Sequence, residues 1–73
     1  MDDHVYRVIQ LVGSSEKSID DAIRRAVGRA SKTLRDLRWF EVVETRGSID
    51  GGGVSQYQVT LKVGFTIADP GGD

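Results

Sequence analysis

The chain has 73 residues, with ten basic and eleven acidic side chains, one histidine and no cysteine. A chain this short forms one small domain whose core needs a staple; without cysteine, and with His4 too isolated to share a metal, association between subunits is the staple that remains. The net charge of -1 gives no global attraction to nucleic acid or a membrane surface. No apolar run approaches the roughly 20 residues that cross a bilayer, and Met1-Asp2-Asp3-His4 lacks the basic and apolar regions of a signal peptide, so a soluble cytoplasmic protein is expected.

In chain order, His4 to Val12 is rich in β-branched residues and is followed by Gly13-Ser14-Ser15, which predicts a first strand closed by a turn. Val5, Ile9 and Leu11 fall on one face and Tyr6, Val8 and Val12 on the other. A strand apolar on both faces expects cover on both, and one short helix covers only one. From Ile19 the apolar positions step by three and four through Ala22, Ile23, Ala26, Val27, Ala30, Leu34 and Leu37, a helical stripe. Ser15 is one candidate cap, and Ser18 with Asp21 three residues later is another. Asp20 and Asp21 suit the positive N-terminal end of that helix, and Arg35 and Arg38 its negative C-terminal end. Gly28 interrupts the stripe, which a close approach of neighbouring backbone would explain.

Two long strands follow around Asp50-Gly51-Gly52-Gly53. Gly51-Gly52 as a two-residue turn sets opposite each other residues whose numbers sum to 103. Phe40/Val63, Val42/Leu61 and Arg46/Tyr57 then share the face toward the helix. Trp39/Gly64, Glu41/Lys62, Val43/Thr60 and Thr45/Gln58 share the other. The expected fold is α+β with order β-α-β-β, a three-stranded antiparallel sheet packed on one helix. Residues 1–68 form a single domain and 69–73, Asp69-Pro70-Gly71-Gly72-Asp73, a disordered tail.

The uncovered face of this sheet bears Trp39, Val43, Thr45, Gln56, Gln58, Thr60 and Lys62, too polar for a core and unusually aromatic for plain solvent. One reading is a subunit contact in which Trp39 packs over the bare backbone of Gly64. The other is a pocket for a flat ligand, with Trp39 as the stacking face and a glutamine amide offering donor and acceptor to a heterocycle edge. Gln58 lies six residues from Gly64, about 20 Å along the strand, so a ligand touching both Trp39 and Gln58 must take one from a neighbouring chain.

The segments His4-Val5-Tyr6-Arg7-Val8-Ile9, Val12-Gly13-Ser14-Ser15, Arg38-Trp39-Phe40-Glu41-Val42, Thr45-Arg46-Gly47 and Tyr57 to Phe65 resemble the dodecins, small bacterial and archaeal flavin-binding proteins. The resemblance runs from about His4 to Ile67. It implies a hollow dodecamer with pockets on two-fold axes, each holding two flavins stacked between two tryptophans. By that resemblance Trp39 is the stacking residue, Gln58 reads the isoalloxazine edge and Arg46 lies near the pocket, with Val43 and Thr45 beside it. The ligand is then riboflavin, FMN or lumichrome. Many bacterial relatives carry arginine after Gly-Phe where this chain has Thr66, so a flavin phosphate is expected to gain little here.

Two rivals are weaker on the residues. A flavoenzyme needs a positioned acid or base beside the ring; His4 is a lone strand-start histidine and the serines lack a paired base, so no catalytic residue is assigned. A nucleic-acid or purely structural module would use Arg24, Arg25, Arg29, Lys32, Arg35 and Arg38, but only Trp39 is available for base stacking, and a solvated helix face explains the same run. A flavin-storing homo-oligomer that quenches its ligand and binds no nucleic acid, membrane or metal is the expectation.

Overall fold

Period-two hydrophobicity in β1, Tyr6–Ser15, places Ile9 and Leu11 against the helix and leaves Val8 and Val12 exposed. The computed structural model describes residues 5–67, so the predicted tail and His4 lie outside the described residues. The strand runs three residues beyond its predicted end. Gly13 continues the ladder opposite Val59 because its missing side chain is what lets the helix close down: a Cβ there would come within 2.5 Å of the Ala22 carbonyl oxygen and 2.9 Å of Ala26 Cβ.

Helix α1, Ile19–Ala30, starts where Ser18 caps it, its hydroxyl accepting from the Asp21 N–H at 3.0 Å. Ser15 contributes from the strand end, donating its hydroxyl to Asp21 Oδ2 at 2.6 Å and accepting the Lys17 N–H at 2.9 Å. The Ser15 hydroxyl and Arg25, whose Nε donates to the same carboxylate at 2.9 Å, hold the Asp21 carboxyl below the usual carboxylate pKa. The helix is shorter than its apolar stripe. It ends at Ala30 rather than continuing through Leu34 to Leu37, because Ser31 Oγ donates to the Gly28 carbonyl and Thr33 Oγ1 to that of Ala30, offering the backbone an alternative to further helix. Asp36 then takes a left-handed conformation, φ 62°, and Leu37 opens the next strand. Arg29, not Arg35 or Arg38, is the cation in the last helical turn. Among the described residues outside its own turn of helix, nothing would lie within 4 Å of a Cβ at Gly28, so no close approach explains that glycine.

Strands β2, Leu37–Asp50, and β3, Gly53–Thr66, form the predicted hairpin, with Gly51 and Gly52 at φ 61° and 84° in its turn. The sheet order is β1-β3-β2, all antiparallel, which confirms the α+β fold of order β-α-β-β. The central strand supplies Val59, Leu61 and Val63 to a core that Ala22 and Ala26 close from the helix. Alanines at that surface bring the helix near the sheet, over β1 and β3. They leave β2 uncovered, so Phe40 is 49% and Ile49 79% exposed.

The predicted hairpin register holds at both ends and fails between them. Trp39 faces Gly64, Phe40 faces Val63, Glu41 faces Lys62 and Val42 faces Leu61, as expected. Val43 is then an extra residue, so Glu44 faces Thr60, Thr45 faces Val59 and Arg46 faces Gln58, until Ser55, extra on β3, restores the register at Ile49/Val54. The expected pairs Val43/Thr60, Thr45/Gln58 and Arg46/Tyr57 are therefore replaced. Since side chains alternate across a strand, a slip of one residue exchanges their faces.

The two glycines make a direct test of the packing. Gly13→Ala should lower stability by about 1–3 kcal/mol, because helix backbone must move to admit the methyl. Gly28→Ala, meeting nothing, should raise it by about 0.5–1 kcal/mol. Urea unfolding at one protein concentration measures both, and equal effects at the two positions would contradict the packing described.

Candidate functional site

Trp39 reaches its position because β2 begins with an irregularity: Leu37 faces Phe65 and Trp39 faces Gly64, leaving Arg38 between them unpaired in the register. Trp39 thereby shares the open face with Gly64. The indole lies against that glycine so closely that an added Cβ would overlap Cε2 and Cζ2 and sit 2.7 Å from Nε1. Any larger residue at 64 would push the ring off the sheet. On the far side of Gly64 stands Val8, and Tyr6 meets the indole edge-on, with ring centroids 6.2 Å apart at 65°. So braced, the tryptophan remains 39% exposed. An aromatic ring fixed in orientation and still open to solvent offers stacking area with little entropy left to lose.

Tyr6 was not among the residues expected at the site. Its signal lay in the alternation of β1, which puts Tyr6 and Val8 on one face. Only the antiparallel pairing of β1 with β3, Tyr6 opposite Thr66 and Val8 opposite Gly64, brings that face to the tryptophan.

Gln58 and Arg46 form a second locus on the same face. The shift at Val43 sets them opposite each other, and Arg46 Nε donates to Gln58 Oε1 at 2.9 Å. Val43 itself, the extra residue, is exposed. Thr45 faces Val59, whose side chain enters the core, so the slip takes it off the face of Gln58. The expected Glu41/Lys62 neighbours face each other, yet among the described residues the ion pair formed is Arg25–Asp21.

The two loci do not meet within one chain. Gln58 and Gly64 lie six residues apart on β3, about 20 Å, and both remain on the open face. The apolar cleft beside Trp39 is lined by Val27, Leu37, Arg38, Phe40 and Val63 and includes neither Gln58 nor Arg46. Among the described residues no group of three or more His, Cys, Asp or Glu converges, and no helix is long and apolar enough to cross a membrane. Trp39 thus presents an exposed aromatic surface above the sheet, with the bare backbone of Gly64 beneath the indole.

Comparison with known proteins follows the same lines. A family model described as Dodecin matches residues 5–68. The dodecin of Thermus thermophilus is 52% identical over 65 residues, covering 89% of this chain and 94% of that one. The structure of dodecin from Streptomyces coelicolor superposes with a TM-score of 0.88 at 51% identity, over 94% of this chain and 99% of that one. More distant is the calcium dodecin of Mycobacterium tuberculosis, 36% identical over 63 residues, 86% of this chain and 89% of that one. Its structure, described as having a novel calcium-binding site, gives a TM-score of 0.76 over 94% of this chain and 97% of that one. Matching across nearly its whole length in both sequence and fold, the chain belongs to the dodecin family.

Proposed function

We propose that this protein stores and shields flavin: it stacks riboflavin-type ligands against Trp39 at two-fold contacts between subunits of a cytoplasmic dodecamer, and it catalyses no reaction on them. The observation that carries this reading is the braced, exposed indole over Gly64. Separation of Trp39 from Gln58 along one chain supports a site completed by a neighbour, since a two-fold axis brings the second chain's amide to the first chain's indole reciprocally. Dodecins are small oligomeric binding proteins, and the dodecamer is the assembly of the family. Against the ring Trp39 places an electron-rich indole; after light absorption it gives up an electron and recovers it, which dissipates the excitation. Gln58 supplies the polar contact at the ring edge, with Arg46 bonded to it and the exposed Val43 nearby on β2. Calcium is named for the mycobacterial relative, but no observation among the described residues here carries a cation site.

Assembly should be visible without ligand. Light scattering of dilute flavin-free protein should give a mass near twelve chains of 8.0 kDa, about 96 kDa; a folded monomer would overturn the reading.

Riboflavin fluorescence should fall strongly on titration with the protein. Trp39→Ala should remove about 1–3 kcal/mol of affinity, the loss of one stacked ring, with the assembly mass unchanged. A mutant that titrates like the parent would remove Trp39 from the site.

The side of the site near Thr66 sets phosphate preference. Thr66 faces Tyr6 on β1 and offers one neutral hydroxyl, whereas a phosphate brings about two negative charges that an arginine would meet with charge-assisted bonds. Riboflavin should therefore bind at least as tightly as FMN, and Thr66→Arg should shift preference toward FMN. A tenfold FMN preference in the unmutated protein, about 1.4 kcal/mol, would show that another cation holds the phosphate.

A further inference from the structure

Arg46 approaches Gln58 with a group that can only donate. A guanidinium has N–H groups and no acceptor, so the amide atom 2.9 Å from Arg46 Nε must be the oxygen; an amide turned the other way would set N–H against N–H. The carbonyl and NH2 ends of a planar amide point apart. With Oε1 held by Arg46, the Nε2 hydrogens are directed away from the arginine and the amide loses its freedom to present either end.

The backbone makes this contact deliberate in geometry. Gln58 sits on the central strand, between Ser14 of β1 and Arg46 of β2. In the uninterrupted register Arg46 would face Tyr57 and lie on the opposite side of the sheet; the extra residue Val43 is what carries the guanidinium onto the face of Gln58, and Ser55 compensates on β3 so that the turn is unaffected. The serines at that second irregularity are bonded to each other, Ser48 Oγ to Ser55 Oγ at 2.8 Å. Two offsetting bulges confine the slip to the stretch that contains Arg46.

We propose that Arg46 is a positioning residue: it locks the Gln58 amide with its N–H groups toward the ligand, so that the site selects flat molecules with a carbonyl-bearing edge, such as a pyrimidinedione ring, and it acts through Gln58 rather than on a phosphate. This rests on the flavin reading above and adds to it the polarity of the recognising edge. A donor edge favours oxygen acceptors on the ligand and rejects a ring whose corresponding position is itself an N–H donor, because both hydrogens would then be left unpaired.

A double-mutant cycle tests it in the assembled protein, by fluorescence titration of riboflavin and of FMN into the parent, Arg46→Ala, Gln58→Ala and the double variant. Arg46→Ala should weaken both ligands equally, roughly three- to tenfold, the range for a lost neutral hydrogen bond. In the Gln58→Ala background the same change should cost no more than about twofold, because nothing remains to position. Gln58→Glu keeps a partner for Arg46 but has no N–H to offer, so it should bind as weakly as Gln58→Ala, while Arg46→Lys, still a donor, should retain most of the parent affinity. Mass and unfolding midpoint should be the same throughout. An equal loss from Arg46→Ala in both backgrounds would mean that Arg46 touches the ligand itself. A loss tenfold greater for FMN than for riboflavin would assign it to the phosphate, and undiminished binding by Gln58→Glu would show that the amide donors are not read; each overturns the proposal. If the parent does not bind riboflavin at all, the flavin reading falls and this falls with it; if the parent binds and the cycle shows no coupling, only the role of Arg46 is lost.

Discussion

The constraint on which this structure depends is a mismatch of lengths. A helix of 12 residues is about 18 Å long, while a strand of 14 residues extends about 46 Å. One such helix covers part of two strands and cannot cover a hairpin that gives the molecule a long dimension of 56 Å. Its alanine-lined surface sits low over β1 and β3, with Gly13 removing the one side chain that would hold it off. What remains is a hairpin whose apolar residues, Phe40, Val42 and Val43 among them, are exposed in the isolated chain. A long apolar edge strand of this kind invites pairing with other chains.

The same geometry explains why the site is divided. Trp39 and Gln58 share one face of the sheet, but about 20 Å of β3 separates Gln58 from Gly64, so one chain presents two separate loci. Each half is separately organised: an indole on a bare glycine with Tyr6 at its edge, and an amide bonded to a guanidinium.

Polarity at the second half-site depends on backbone irregularity more than on composition. Arg46, Gln58, Thr45 and Tyr57 are the same residues in either register, yet only the slipped one opposes the guanidinium to the amide. The cost of a bulge is local, a ladder interrupted at Val43, and Ser55 limits it by restoring the pairing before the turn. Extra residues in strands commonly re-aim a side chain near a functional site, and here the re-aimed side chain is Arg46.

Much of this was legible in the residues. Alternation in β1, the three-and-four stripe from Ile19 to Ala30, Ser18 with Asp21 as a helix start, and Gly51-Gly52 as a turn are local signals, each set by side-chain period or by the φ a residue tolerates, and each is found in the structure. Pairing of Trp39 with Gly64 followed from counting outward from the turn. The helix end did not follow, since Leu34 and Leu37 keep the apolar period while Ser31, Thr33 and Asp36 divert the backbone by hydrogen bonds and a left-handed turn that hydrophobicity does not register. The central stretch of the hairpin did not follow either. An extra residue on β2 and another on β3 cancel in the count, so agreement at both ends concealed the slip between them, and with it the meeting of Arg46 and Gln58 and the departure of Thr45 from that face. Likewise Tyr6 reaches Trp39 only through the order β1-β3-β2, a contact between residues 33 positions apart by their numbers. Local propensities act on neighbours in sequence, whereas strand order and compensating bulges are decided by the packing of the whole sheet, and that is where the tertiary structure alone determined which side chains share the site.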